Sequence, residues 1–429
     1  MDLVPPEILL QVFEYLGGPA PSEIRLHDQP SPDLFSIKPQ SSMPLLKAAS
    51  LVSRSWRTLV LPLLFRHVLW RPEVRSLSAF TLNPNPLLRF LSENGLAHSA
   101  ITFTLVIDFH DPAAVDYQIS SRIRTSDLEW LWDQLFSVID PLRFTILARP
   151  TTLAALLSCM LYLNDAWSFD IPYHILSFAR SSRQVITGGD GPSSGTPIDT
   201  KSTTPTVSSA SRRSATPSTS RSRAIPTCPL FTIRPWTSLL LNEGSSTKVY
   251  RVYEFYLRRP PSVLGALLGC EEYPNNVPLI PTTVVDFNYI AIFPLASHFE
   301  ILLEHLPRID RLFVQLMPRS EGGILENVDE MRHIDYSDLW LERDTSYTAL
   351  MRRLLMFATP SINWNELRVF ESGDAGDPEA WEIISLYLER SETTRWKIER
   401  PGIFAKCTDD QSLDRSYEVN GHVGPLLTT

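Results

Sequence analysis

The apolar residues Ile8, Leu9, Val12, Phe13 and Leu16 recur at three- and four-residue spacing and predict an amino-terminal helix with one oily stripe. Pro5 and Pro6 suit its opening turn, where a missing N–H costs nothing, Glu7 faces the positive end of the helix dipole, and Gly17-Gly18 ends it. A second helix is expected from Leu45 to Val52, with Leu45, Ala48, Ala49 and Val52 on one side. A third begins after Ser53, a good N-cap residue, carries Trp56, Leu59 and Val60, and is expected to be interrupted by Pro62. Three short amphipathic helices share only a small core, so such a unit leans on a neighbour. Residues 17–43 hold Pro19, Pro21, Pro30, Pro32 and Pro39 and read as a flexible surface insertion.

The pattern then changes to helix followed by strand. His67–Trp70 reads as a short strand, and a helical stretch broken at Pro84 and Pro86 leads through Leu88 and Leu91 to Ile101–Ile107, whose β-branched and aromatic residues favour a strand. The same order returns in Leu128–Ile139 then Arg143–Leu147, in Phe299–Leu306 then Arg311–Leu316, in Tyr347–Phe357 then Leu367–Phe370, and in Glu379–Glu389 then Thr394–Ile398. Strands joined by single helices favour parallel pairing. Two α/β architectures fit: an irregular leucine-rich-repeat-like curve and a closed sheet. From residue 181 to 227 the chain is rich in Ser, Thr, Pro and Arg and too poor in apolar residues to offset its conformational entropy, so a long disordered insertion is expected. Thr196, Thr204 and Thr216 each precede proline there, and phosphate on them would reverse the local charge set by Arg212, Arg213, Arg221 and Arg223. The insertion divides the helix/strand region into residues 76–180 and 228–429.

Composition narrows the chemistry. A chain of 429 residues, 43% hydrophobic, exceeds what one core usually organises. A net charge of -9 argues against nucleic acid as a partner, and the sequence lacks the long apolar run of a membrane span. Cys159, Cys228, Cys270 and Cys407 stand far apart in no zinc-binding spacing, which fits free thiols in a reducing compartment, and the chain opens without a signal-peptide pattern, so cytosol or nucleus is expected. His298, His305, His333 and His422 belong to no HExxH or HxH pattern; His298 and His305, beside Glu300 and Glu304, read as a solvated helix face. With 17 glycines the chain contains no phosphate-cradling loop and no nucleophile elbow. No catalytic residue, metal ligand or cofactor is expected. The acidic positions Asp329, Glu330, Asp335, Asp338, Glu342 and Asp344 around Trp340, followed by Asp374 and Asp377, read as solvated loop or as a surface steering a basic partner. Trp364, Trp381 and Trp396 are expected in the core.

Val4-Pro5-Pro6-Glu7-Ile8-Leu9, Leu51-Val52-Ser53-Arg54-Ser55-Trp56-Arg57 and Pro62-Leu63-Leu64-Phe65-Arg66 together resemble the start, middle and end of an F-box. The connection from Gly17 to Met43 is longer than that family's usual one, and Val4 stands where leucine is commoner. The resemblance, which covers residues 1–70, implies a small three-helix domain that docks on the adaptor subunit of a cullin-based ubiquitin ligase. It implies docking roles for Pro5, Ile8, Leu9, Val12, Phe13, Leu16, Leu51, Val52 and Trp56. The carboxy-terminal region would then bind an unknown target protein. Receptors of this kind often carry repeat domains, which favours the open leucine-rich-repeat-like curve.

Overall fold

The computed structural model describes residues 4–36, 43–72, 82–108, 125–161, 173–183, 228–319, 322–355, 362–390 and 396–407. Four helices open the chain: α1 (Pro6–Gly17), the single turn α2 (Pro21–Ile24), α3 (Met43–Ala49) and α4 (Arg54–Leu64). Ser53 caps α4 as expected, its hydroxyl accepting from the Trp56 amide at 3.1 Å. Ser53→Ala is therefore expected to lower stability by about 1 kcal/mol, read as a shift of the urea midpoint. Pro62 does not stop α4. It falls in the final turn, where the loss of one amide donor is tolerable, and the helix continues to Leu64.

Ten strands follow: β1 (His67–Trp70), β2 (Thr102–Ile107), β3 (Arg143–Ala148), β4 (His174–Ala179), β5 (Ser238–Ser245), β6 (Asp286–Ile292), β7 (Arg311–Gln315), β8 (Val369–Ser372), β9 (Trp396–Arg400) and β10 (Ile403–Lys406). They form one sheet in the order β1-β2-β3-β4-β5-β6-β7-β8-β10-β9, so it runs from one edge to another and each strand up to β8 lies beside its neighbours in sequence. Pairing is parallel through β1–β3 and β5–β8, but β4 is antiparallel to both its neighbours and β10 to both of its own. Fully parallel pairing therefore fails at two places. At the second the reason is local: β9 and β10 are joined through Gly402 at φ 83°, a turn too short for the crossover that parallel strands need.

Residues on alternate sides of each strand build two cores. On the first side Phe103, Phe144, Phe178, Leu241, Phe287, Val314 and Phe370 are covered by helices α5 (Asn85–Glu93), α6 (Thr125–Val138), α7 (Pro150–Leu156), α8 (Leu264–Leu268), α9 (Ala296–Glu304), α11 (Tyr336–Leu355), α12 (Ile362–Glu366) and α13 (Pro378–Arg390). Trp364 and Trp396 are buried there, and Trp381 packs half-buried against the same core with its ring 5.6 Å from that of Phe404, as the sequence suggested. On the second side Val106, Leu147, Ile175, Leu240, Ile290 and Phe313 are covered by the segment around α10 (Val328–Met331), by Tyr250 and Phe255, and by residues 26–35 of the amino-terminal connection.

That last element corrects the expectation of a flexible insertion. Leu26, Leu34 and Phe35 are buried against the sheet. The buried Asn242 on β5 donates from Nδ2 to the carbonyls of Leu26 and Asp28 at 2.8 and 2.9 Å, and its Oδ1 accepts from the Gly244 amide. Arg71 reaches the Pro32 carbonyl at 2.6 Å and Ser36 Oγ at 2.7 Å, while Arg319 donates to His27 Nδ1 at 2.9 Å and the His27 ring lies 4.7 Å from Phe313. The connection is a strap tied to both halves of the sheet. Its prolines restrict the unfolded chain and so favour the packed form rather than motion. The structure leaves residues 37–42 and the Ser/Thr/Pro/Arg-rich stretch 184–227 outside the described residues; Arg183, just before the latter, donates to the carbonyls of His98, Ala100 and Asp140.

Candidate docking face

Helices α1, α3 and α4 meet around Phe13, Leu46, Ala49 and Val60, with Leu9, Leu16, Trp56 and Leu59 packed beside them. Phe13 and Trp56 meet edge to face at 5.1 Å between ring centres. This small core divides the implied docking residues. Pro5, Ile8, Val12, Leu51 and Val52 are exposed; Leu9, Leu16 and Trp56 are half-buried. Phe13 is only 3% exposed and points inward, so it holds the three helices together and does not belong to the docking face. The stripe read from the sequence is thus wider than the part left open, because one side of it is spent on the helices' own contacts.

Tyr15 and Leu45 are not among the docking residues that the F-box resemblance implies, yet both are exposed. Tyr15 is 91% exposed on α1, and Leu45 is exposed on α3. Tyr15 lies three residues after Val12 and seven after Ile8, so its place on the same face was available from spacing. Leu51, at 78% exposure, and Val52 stand in solvent where the chain turns between α3 and α4. Seven large side chains, Ile8, Val12, Tyr15, Leu45, Leu51, Val52 and Val4, therefore stand in solvent on a unit of about sixty residues, and none of the chain's later described residues covers them. So many exposed apolar side chains on so small a unit mark an interaction site.

Other candidate chemistry is built into the interior. His298 does not lie on a solvated helix face: it is buried, with Nε2 2.9 Å from Glu243 Oε2, while His305 is exposed. The Glu243 carboxylate also accepts from Tyr289 Oη at 2.7 Å and from Ser262 Oγ. Burial opposes its charge, but His298, His174 and the Ser262 hydroxyl outweigh that and hold its pKa down at about 2. The acidic positions of the carboxy-terminal half are likewise partly structural. Asp374 is buried, accepting from the Leu316 and Met317 amides and from Tyr347 Oη. Asp344, Asp377 and Glu379 surround the buried Arg343, whose guanidinium also lies 4.5 Å from the Trp340 ring. Burial raises the thiols of Cys159 to about 12 and Cys228 to about 11, the unreactive direction. Among the described residues no group of three or more His, Cys, Asp or Glu is arranged to hold a metal ion, and no helix is long and apolar enough to cross a membrane.

Searches of the curated proteins and of the solved structures find no match to the chain. Residues 1–71 match the family model described as F-box-like, the stretch that contains every exposed residue of the face described above. The amino-terminal unit of this chain is an F-box-like domain.

Proposed function

We propose that the chain is the substrate-recognition subunit of an SCF-type cullin-RING ubiquitin ligase, docking on the adaptor through α1, α3 and α4 and binding a target protein with the sheet domain. The observation that carries this reading is the open apolar face on a domain of the F-box-like family. Each large apolar side chain moved from water into an interface contributes about 1.5–3 kcal/mol before ordering costs, so a handful supports stable docking. The receptor needs no catalytic residue of its own. It raises the effective concentration of target lysines near a carrier held by another subunit. Sequential strands, most of them joined through helices that cover the first side of the sheet, fit an irregular leucine-rich-repeat-like domain, with β4 and β10 as departures from it.

Ile8→Asp combined with Leu51→Asp is expected to weaken binding of purified adaptor by a factor on the order of 100 or more, since two exposed anchors are lost and two charges are buried. Both positions face solvent, so the melting temperature should not change. Adaptor affinity equal to that of the unmodified chain would eliminate this reading. If docking holds but no partner's half-life lengthens when the protein is lost, a non-degradative scaffold is the better account.

A further inference from the structure

Of the 39 lysines and arginines in the chain only six are lysine, Lys38, Lys47, Lys201, Lys248, Lys397 and Lys406, and none stands between residues 48 and 200 or between 249 and 396. Some of the arginines are required by the fold. Arg183 donates to three carbonyls and the buried Arg343 contacts three carboxylates, tasks for a guanidinium fork that a point charge performs poorly. Others are not. The side chains of Arg89, Arg308 and Arg368 are 81%, 78% and 75% exposed, and each contacts one carboxylate, that of Glu93, Glu366 or Asp310, at 3.4, 3.5 and 3.9 Å. A lysine would serve such exposed, loosely paired positions as well. Neither packing nor pairing therefore demands so lysine-poor a surface.

The lysines that remain are mostly occupied. Lys38 and Lys201 lie outside the described residues, and Lys47 stands on α3 of the docking unit. In the sheet domain Lys248 Nζ lies 3.6 Å from a Glu330 carboxylate oxygen, and Lys406 Nζ donates to the Asn365 carbonyl at 2.5 Å with the Trp396 ring 5.9 Å away. Lys397 differs: it is exposed on β9, at the opposite edge of the sheet from β1, and no described residue engages its amine. The chemistry of the ligase gives this distribution a meaning. Transfer joins a neutral lysine Nζ to the carbonyl carbon of the ubiquitin thioester on the carrier; the isopeptide bond forms, the C–S bond breaks, and the proton shed by the nitrogen goes to the departing thiolate. Arginine cannot take that role, because its guanidinium stays protonated. Proximity makes no distinction between a target's lysines and the receptor's own, so every open amine on this chain is offered to the same carrier.

We propose that arginine in place of lysine shields this receptor from the ligase it serves, and that Lys397 is the acceptor through which its sheet domain is nevertheless modified. This rests on the receptor reading and adds to it a control on the receptor's own lifetime. The test is the reconstituted ligase, with the full chain, adaptor, cullin, RING subunit and ubiquitin-charged carrier, run without target; modified lysines are located by mass spectrometry and adaptor affinity is measured on the same samples. Wild type should be modified slowly and, within the sheet domain, at Lys397, and Lys397→Arg should remove that signal. Arg89→Lys with Arg308→Lys and Arg368→Lys should raise the rate about tenfold, with ubiquitin on the new lysines. The melting temperature should not change, since each substitution keeps the charge at an exposed site. The proposal is overturned if the chain docks and the triple variant is modified no faster than wild type, or if Lys397 stays unmodified while the chain is docked. A wild-type chain that does not bind adaptor at all removes the receptor reading itself, and this proposal with it.

Discussion

Leu34→Ser combined with Phe35→Ser is expected to unfold the ten-stranded sheet and not merely to free the strap. Both side chains are buried on the second face of the sheet against a layer that includes Leu147, Ile175 and Leu240. Truncating a buried leucine costs about 2–5 kcal/mol and a buried phenylalanine about 3–5 kcal/mol. Together these approach the whole stability of a typical domain, about 5–15 kcal/mol. Detachment of the strap would in addition strip two acceptors from the buried Asn242 amide. Urea unfolding followed by circular dichroism decides it: a midpoint within error of wild type, together with new protease cutting between Asp28 and Ser31, would show the strap to be dispensable. For the same reason residues 72–429 expressed alone should be insoluble or largely unfolded, because that fragment lacks the cover for its second core.

The strap also changes what the F-box-like unit is. In sequence it read as a unit of about seventy residues that leans on a neighbour, with residues 17–43 as a flexible surface insertion. In the structure the connection inside that module crosses the sheet, held by Arg71 beyond β1, by Asn242 on β5 and by Arg319 beyond β7. The docking face and the sheet are therefore parts of one folded body. Rigidity of this kind suits a receptor that works by proximity, since the distance between adaptor and target then depends little on linker motion.

How far sequence reached depended on how local each signal was. Helix α1, the Ser53 cap of α4, and strands β1, β2, β3 and β7 were legible because periodicity or capping within a few residues specifies them. Strands β4, β5 and β6 were not. Polar residues interrupt their apolar runs, Ser177 in β4, Asn242 and Glu243 in β5, and Asp286 and Asn288 in β6, so neither alternation nor a continuous apolar stretch marks them. The strap was missed because Leu26, Leu34 and Phe35 follow no period, and their burial is decided by a surface more than a hundred residues away. His298 was misplaced on similar grounds. Its partner Glu243 lies 55 residues earlier, and only the pairing of β5 beside β6 brings the two elements together.

Glu243→Ala leaves Tyr289 Oη, Ser262 Oγ and His298 Nε2 without their acceptor in a region closed to water. The expected loss is about 3–5 kcal/mol at pH 7, by analogy with breaking other buried charged contacts. A loss below about 1 kcal/mol would show that these donors find water instead. The pH dependence has a definite sign. Interactions with His298, His174 and Ser262 hold Glu243 at about 2, below its ordinary 4.5, and burial holds His174 at about 4, below its ordinary 6.5. Both shifts are depressions, so both contributions are complete above the unfolded values and fade on acidification. His174 fades from pH 6.5 to about 4 and Glu243 from 4.5 to about 2. The stability gap between wild type and His174→Asn should therefore narrow by up to about 3 kcal/mol on going from pH 7 to pH 4, because only wild type must keep an imidazole neutral in the core. Comparing variant with wild type at each pH cancels the titration of the strap residue His27, itself held at about 4 by burial beside Arg319, and the opposite contribution of Asp374, which burial raises to about 7. A gap that stays constant or widens below pH 6 would mean that His174 takes up its proton without cost, which is incompatible with a closed first core at the start of β4.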